Sequence, residues 1–221
     1  MKKRKGQALI ELALLFPILM ILLSGVVEFG IFLNQYLSIM DAARNAARFA
    51  SDGLYYESDN VSDCETTRDF YRQTVCLVNS ELRQERPYIQ MNDNATPNNF
   101  LDDYLDPIRG DDIVVSAFSV SDQQIKARFP DNDGWSYASD LGVGSGTPSR
   151  FTNADVVALI HEANAPRTGY VLVEIYYHYD QLLKLPWITA FVPDPALLYT
   201  YAFMPLSSAE PTATPIPTPE P

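Results

Sequence analysis

The sequence predicts an α+β protein in which a long N-terminal transmembrane helix continues into a domain with a small antiparallel sheet and two or so further helices. Two observations predict this class. Residues 12–33 are an apolar run with a single ionisable side chain, Glu28, whereas later segments alternate apolar and polar residues with the period of a strand. The overall composition, 47% hydrophobic and 20% charged in 221 residues, is that of a folded protein. A mean hydropathy of -0.10 excludes a protein with many membrane spans.

The apolar run is long enough to cross a bilayer. At about 1.5 Å per residue it reaches roughly 33 Å, against about 30 Å of hydrocarbon. It exceeds the apolar region of a signal peptide, about 7 to 15 residues, and is therefore interpreted as a retained anchor. The basic residues before it are Lys2, Lys3, Arg4 and Lys5. They predict a cytoplasmic N-terminus in the cytoplasmic (inner) membrane, with the acidic remainder outside.

The helix is predicted to extend well beyond the membrane, over residues 7–53. No Pro or Gly lies between Ile31 and Asp52, and Gly53 suits a helix C-cap. Apolar residues recur at helical spacing along it: Leu33, Leu37, Met40, Ala43 and Ala47. This face packs either on the chain's own domain or on another subunit.

Residues 54–206 are predicted to form one extracytoplasmic domain. The clearest strand covers residues 170–180, where Val173 and Ile175 share the core-facing side and Glu174 lies on the opposite side. Residues 113–120 and 124–129 form a predicted hairpin. Further predicted elements are a last strand over 197–204, a helix over 66–85 and a helix over 153–163 that starts with a Thr152–Asp155 capping box.

Three smaller features complete the domain. Cys64 and Cys76 lie outside the cytoplasm in this topology, which favours a disulfide over two reduced thiols. Residues 185–193 are apolar but broken by prolines, and form either a loop over the sheet or a contact with a partner or the membrane surface. The Pro/Thr-rich tail, residues 207–221, is predicted to be disordered.

The sequence contains no recognisable catalytic or cofactor motif. A net charge of -12 argues against nucleic-acid binding. His161 and His178 have no metal-ligand spacing, and the glycine-rich residues 142–146 lack the lysine of a P-loop. Residues 131–134 resemble only part of a calcium loop. No enzyme activity, metal or cofactor is therefore predicted.

The N-terminal residues have an informative spacing. A basic head is followed by Gly6, Gln7 and then Glu11 before the apolar run, which resembles a type IV prepilin leader. The resemblance implies that a prepilin peptidase cleaves between Gly6 and Gln7. The new ammonium at Gln7 would then pair with Glu11 of a neighbouring subunit and set the register of assembly. In the alternative interpretation Glu11 simply lies at headgroup level beside Lys5.

A narrower resemblance appears when later elements are included: Pro17, Glu28-Phe29-Gly30, Ala42-Ala43-Arg44 and Ala46-Ala47-Arg48. Residues 6–48 then resemble the TadE-like family, minor pilins or pseudopilins of the tight-adherence machinery that builds Flp-type (type IVc) pili. The resemblance implies a single-pass membrane protein with a pilin-like domain, acting by helix packing. Its implied partners are a prepilin peptidase, other pilin-like subunits of a Tad-type machinery and membrane lipid.

Two alternatives from other classes stay open. One is a signal-anchored ligand-binding or sensory module whose acidic domain binds a ligand such as calcium. The other is an anchored hydrolase. Both predict an uncleaved N-terminus and no requirement for Gly6.

Overall fold

A computed structural model describes most of the chain. It leaves out the first three residues, several internal segments and the tail. The described residues are 4–52, 70–84, 105–121, 123–130, 133–143, 146–162 and 169–206. The chain divides into two compact units, one of residues Met1–Leu37 with His178–Leu198 and one of residues Ser38–Tyr177 with Tyr199–Pro221. The tail and residue Cys64 lie outside the described residues, so the predictions for both stay untested.

Helix α1 covers Arg4–Asp52 without interruption, which agrees with the predicted long helix. Pro17 lies inside it and does not end it, although its missing amide leaves the Ala13 carbonyl without the usual helical donor. Within the apolar run the hydroxyl of Ser24 donates to the Ile21 carbonyl at 2.9 Å, so the run satisfies this polar group internally.

The second half of α1 packs into the second unit through small residues. Its buried side chains are Ile39, Ala42, Ala43, Ala46, Ala47 and Ala50. Packing on the chain's own domain, one of the two predicted uses of this face, is therefore confirmed. The predicted face is wrong at its start, because Leu33 and Leu37 are exposed while Gln35 and Ser38 are buried. The spacing of the leucines does not predict the buried face here, because polar residues occupy the buried positions.

A small antiparallel sheet forms the centre of the second unit. The strands are β1 Asp112–Ser121, β2 Gln124–Phe129, β3 Trp135–Ser136, β4 Tyr170–Tyr179 and β5 Ala196–Pro205. Their order is β2-β1-β4-β5, and β3 also pairs with β1. The predicted β1–β2 hairpin is confirmed, with Ala117 opposite Phe129. In the central β1–β4 pair, Ile113 lies opposite Ile175.

Helices α2 Phe70–Gln84, α3 Tyr137–Asp140 and α4 Asn153–Glu162 accompany this sheet. On α4, Val156 and Ile160 bury their side chains in one cluster with Phe118 of β1. The predicted capping box at its start is confirmed: the Thr152 amide donates to the Asp155 carboxylate at 2.9 Å, and the Asp155 amide donates back to the Thr152 hydroxyl at 3.3 Å. Residues 66–69 and 85 of the predicted second helix lie outside the described residues.

The proline-broken apolar segment contains one short helix, α5 Pro186–Thr189, which was not predicted from the sequence. Pro186 at the first helical position supplies the φ angle that a helix start requires and has no amide to leave unsatisfied. The segment belongs to the first unit, together with the N-terminal part of α1.

Candidate functional site

The first unit presents a long, bare apolar surface on α1. Its large apolar residues from Leu9 to Phe29 have 44% to 70% of their surface exposed. In water such a surface is far larger than the apolar patches that monomeric proteins tolerate. Among the described helices, α1 is long and apolar enough to cross a membrane, and none of its most apolar stretch is buried. The surface suits lipid or neighbouring apolar helices.

The sequence-predicted processing and assembly residues lie at the start of this helix. Gly6 and Gln7 are in the first turns of α1, and their side chains are outside the described residues. The Glu11 side chain is exposed on the helix surface, one turn beyond Gln7. The roles predicted for these three residues stay predictions.

Glu28 has an environment that its sequence context did not suggest. Its side chain is only 5% exposed, although it lies in the apolar run. Oε1 accepts hydrogen bonds from the Tyr179 hydroxyl at 2.9 Å and the Leu182 amide at 2.8 Å. Oε2 accepts one from the Leu183 amide at 2.9 Å. Glu28 therefore holds the segment after β4 against α1, and we call this group of contacts the Glu28 clamp.

Ring contacts reinforce the clamp. Phe32, one turn after Glu28, meets Tyr179 edge to face with the ring centroids 5.5 Å apart. Such a contact fixes the phenol ring whose hydroxyl donates to Glu28. The carboxylate is thus oriented from two directions, by backbone amides and by a packed tyrosine.

The three residues of the acidic-Phe-Gly element behave differently from one another. Glu28 is buried, whereas Phe29 is exposed and stacks on Phe32 with centroids 6.3 Å apart. A Cβ added to Gly30 would meet no atom within 4 Å. The chain's own packing therefore requires the carboxylate but places no steric demand on the glycine.

The segment held by the clamp is closed at its base by polar contacts. The Gln181 amide donates to Asp194 Oδ1 at 3.0 Å, and Gln181 Nε2 donates to the Val192 carbonyl at 3.0 Å. Lys184 Nζ lies 3.7 Å from Asp194 Oδ2. These contacts join the two ends of the segment 181–194 and order it as a loop. The apolar residues in the middle of the loop are exposed. We call residues 181–193 the interface loop.

A second buried carboxylate, Glu174, lies at the centre of the second unit. The alternation places it on the side of β4 opposite Val173 and Ile175, and that side is covered as well, because the exposure of Glu174 is 0%. Glu174 accepts hydrogen bonds from the Tyr199 hydroxyl at 2.8 Å, the Arg150 amide at 3.0 Å, the Tyr176 hydroxyl at 3.3 Å and the Ser149 hydroxyl. Residues of the segment before α4 thus cover this second face of β4.

The Glu174 surroundings are those of a structural centre. Burial, and next the charge of Glu174, raise the pKa of both Tyr176 and Tyr199. The Arg150 guanidinium stacks over the Tyr199 ring, 4.1 Å from its centroid. Both carboxylate oxygens are occupied by donors of the chain itself, so the group fixes a loop on the sheet.

The described residues offer no group of three or more His, Cys, Asp or Glu side chains that could hold a metal ion. Residues 131–132 of the partial calcium loop lie outside the described part of the chain. Cys76 is on α2. Its predicted partner, Cys64, lies outside the described part of the chain, so the disulfide stays a prediction.

The fold and these contacts define a class of protein, an α+β domain with a long apolar helix. Among the described residues this helix is the one that can span a membrane. It carries a buried carboxylate that clamps a loop. Within that class, residues 6–48 match the model of the family described as TadE-like protein. The predicted resemblance is thereby confirmed over that segment, which coincides with most of α1. No curated protein and no solved structure matches the chain.

Sequence reasoning found Glu28 but missed what it binds. The partners are a tyrosine and two backbone amides more than 150 positions away, and amides have no sequence signature. One signal was present: a carboxylate inside an apolar run persists only if it is neutralised, reaches water or has partners.

Proposed function

We propose that this protein is a minor pilin or pseudopilin of a Tad-type pilus assembly machinery. It is held in the cytoplasmic membrane by α1, with its N-terminus inside and its α+β domain outside. Its activity is association with other pilin-like subunits through packing of α1, and it performs no catalysis. A prepilin peptidase processes it between Gly6 and Gln7.

The observation that carries the proposal is the bare apolar surface of α1 within the segment matched by the TadE-like model. A helix exposed on all sides over this length needs either lipid or other helices around it. Lipid surrounds the unassembled subunit, and neighbouring helices replace that lipid on assembly. The small residues Gly25 and Gly30 have open space around them, which permits close approach of such a neighbour.

Cleavage would occur in the first turns of α1. A peptidase needs the scissile backbone extended, so these turns must unwind before Gly6 can enter its cleft. Glycine lowers the stability of a helix by about 1 kcal/mol relative to alanine, and the end of a helix frays easily. Gly6 at this position therefore makes local unwinding cheaper.

Glu11 would act after cleavage. The new ammonium at Gln7 and a Glu11 carboxylate about 4 Å away attract each other by roughly 4 kcal/mol at an effective dielectric of about 20. Removing both charges from water offsets much of that attraction. The pair therefore contributes mainly to register, because a subunit shifted by one turn leaves both charges without their partners.

The mature N-terminus tests the class. The full chain is produced with and without a prepilin peptidase, extracted from membranes and analysed by intact mass and terminal sequencing. We expect a peptidase-dependent start at Gln7 and no cleavage of the Gly6→Val variant. An intact leader in the presence of an active peptidase would reject the proposal and favour an anchored binding module.

Assembly itself is tested with a pair of matched carboxylate variants. Glu11→Ala should insert into the membrane normally but lose association with pilin-like subunits, measured by cross-linking in membranes. Asp41→Ala on the same helix is the control, since among the described residues the contact of Asp41 is an exposed ion pair with Arg44 at 3.7 Å. Equal association of the Glu11 variant and the control would contradict the role given to Glu11.

A further inference from the structure

We infer that the interface loop, residues 181–193, is a second membrane contact and lies in the outer headgroup region of the bilayer that α1 spans. The inference goes beyond subunit assembly: it assigns a lipid-binding surface to a loop of the extracytoplasmic region. It rests on the position of the loop along α1, on its exposed side chains and on its charge.

The Glu28 clamp fixes the level of the loop. Leu182 and Leu183 donate their amides directly to the Glu28 carboxylate, so their backbone lies beside this residue of α1. Glu28 lies five residues before Leu33, where the apolar run ends, which is about 7 Å along a helix axis. The loop therefore starts at the depth of the outer part of the apolar run, where lipid headgroups meet hydrocarbon.

The side chains of the loop suit that depth. Phe191 is 89% exposed, and Trp187 is 36% exposed. The other exposed large apolar residues of the loop are Leu182, Leu183 and Val192. Tryptophan is enriched where headgroups meet hydrocarbon, because its ring is apolar and its N–H remains close to water.

The charge of the loop differs from that of the whole protein. Between Asp180 and Asp194, Lys184 is the only residue with a charged side chain, in a chain of net charge -12. Its ammonium lies beside Asp194 and remains largely exposed, so it can also reach lipid phosphates. Apolar side chains that enter the boundary between headgroups and acyl chains, together with a cation that can meet anionic lipid, are the two features that bind a segment to a membrane surface.

A lipid surface explains these exposures better than a protein partner does. The loop is held on the same helix whose exposed apolar residues, among them Val26 and Phe29, continue toward the membrane interior. The apolar surface of the loop is thus continuous with a surface that already requires lipid. A protein partner would have to cover both.

Tryptophan fluorescence tests the inference directly. The chain has two tryptophans, so Trp135→Phe leaves Trp187 as the only tryptophan, and excitation at its red edge avoids the 13 tyrosines. The full-length variant is reconstituted in phosphatidylcholine liposomes and in liposomes brominated near the glycerol end of the acyl chains. We expect Trp187 to lose most of its emission in brominated liposomes. Equal emission in both kinds of liposome would overturn the inference.

A second pair of variants protects the test from changes in folding. Phe191→Asp should restore much of the Trp187 emission in brominated liposomes, since a carboxylate at the most exposed apolar position keeps the loop out of lipid. Ile108→Asp is the matched control, because Ile108 is also an exposed apolar residue, at 83%, and belongs to the other unit. Unchanged quenching in the Phe191 variant would contradict a lipid contact at the tip of the loop.

The outcome is separable from the proposed function. Carbonate extraction of the same liposomes reports whether α1 is inserted, whatever the loop does. Inserted protein with an unquenched Trp187 rejects the loop contact alone. Protein released by carbonate rejects the membrane anchor, and with it both proposals.

Discussion

The Glu28 clamp leads to a quantitative prediction about loop opening. Each hydrogen bond to a charged group contributes about 1.5 to 3 kcal/mol, and the Glu28 carboxylate accepts three. In Glu28→Gln one oxygen becomes an NH₂ group, which faces a donor and cannot accept its hydrogen bond. At least one bond is lost, so we expect the loop to open more easily by about 2 kcal/mol.

Limited trypsin digestion in detergent measures this opening. The bond after Lys184 lies within the clamped segment, and a protease requires several extended residues, so cleavage there follows local opening. When opening and closing are faster than cleavage, the rate reports the open population. A change of about 2 kcal/mol corresponds to an about 30-fold faster appearance of the fragment that starts at Leu185.

Two controls separate local opening from general unfolding. Tyr179→Phe removes one donor and leaves both amide bonds, so it should accelerate cleavage less than Glu28→Gln does. Cleavage after Arg109, in the other unit, should stay unchanged in both variants. An unchanged rate at Lys184 in Glu28→Gln would refute the clamp, and a parallel rise at Arg109 would show that the whole protein had been destabilised.

Three further outcomes are expected. Glu174→Gln should lower the free energy of unfolding by about 2 to 4 kcal/mol, because a buried acceptor loses its charge and turns an NH₂ group toward donors. Tyr199→Phe removes one donor to Glu174 and should lower it less, and urea unfolding measures both variants. Hydrogen bonds from the Thr152 hydroxyl and amide lower the pKa of the Asp155 carboxyl, so its contribution is present at neutral pH and is lost as the pH falls through that lowered pKa. The urea midpoints of wild type and Asp155→Asn should therefore converge on acidification, and a constant difference would contradict this. Gly30→Ala should leave the melting temperature in detergent equal or higher, since helix propensity improves and no atom lies within 4 Å of the new Cβ; a decrease would indicate a contact at Gly30.

The elements of this fold were largely predictable because their signals are local. Alternation of apolar and polar residues predicts the β1–β2 hairpin and β4, and the Thr152–Asp155 pair predicts the start of α4. Hydrophobic length alone predicts the membrane-capable part of α1. None of these predictions depends on which residues from distant parts of the chain pack against the element.

Burial of polar residues was not predictable, because it depends on distant partners. Alternation placed Glu174 opposite the core-facing residues of β4 but could not show that Ser149 and Arg150 cover it. Glu28 lies in an apolar run with no partner nearby in the sequence, yet backbone amides of the interface loop hold it. In both cases a carboxylate is satisfied by groups that carry no sequence pattern, and only the folded chain brings them together.

The separation of the clamp partners along the chain also affects biosynthesis. In the proposed topology Glu28 inserts with the first helix, whereas Leu183, which completes its set of donors, is synthesised 155 residues later. At a synthesis rate of about 5 to 20 residues per second, the carboxylate waits roughly 8 to 30 seconds for its partners. During that interval the carboxylate lacks these donors, and water is the group that can replace them as hydrogen-bond partner. In the proposed topology the loop therefore completes the surroundings of Glu28 only after it has been exported.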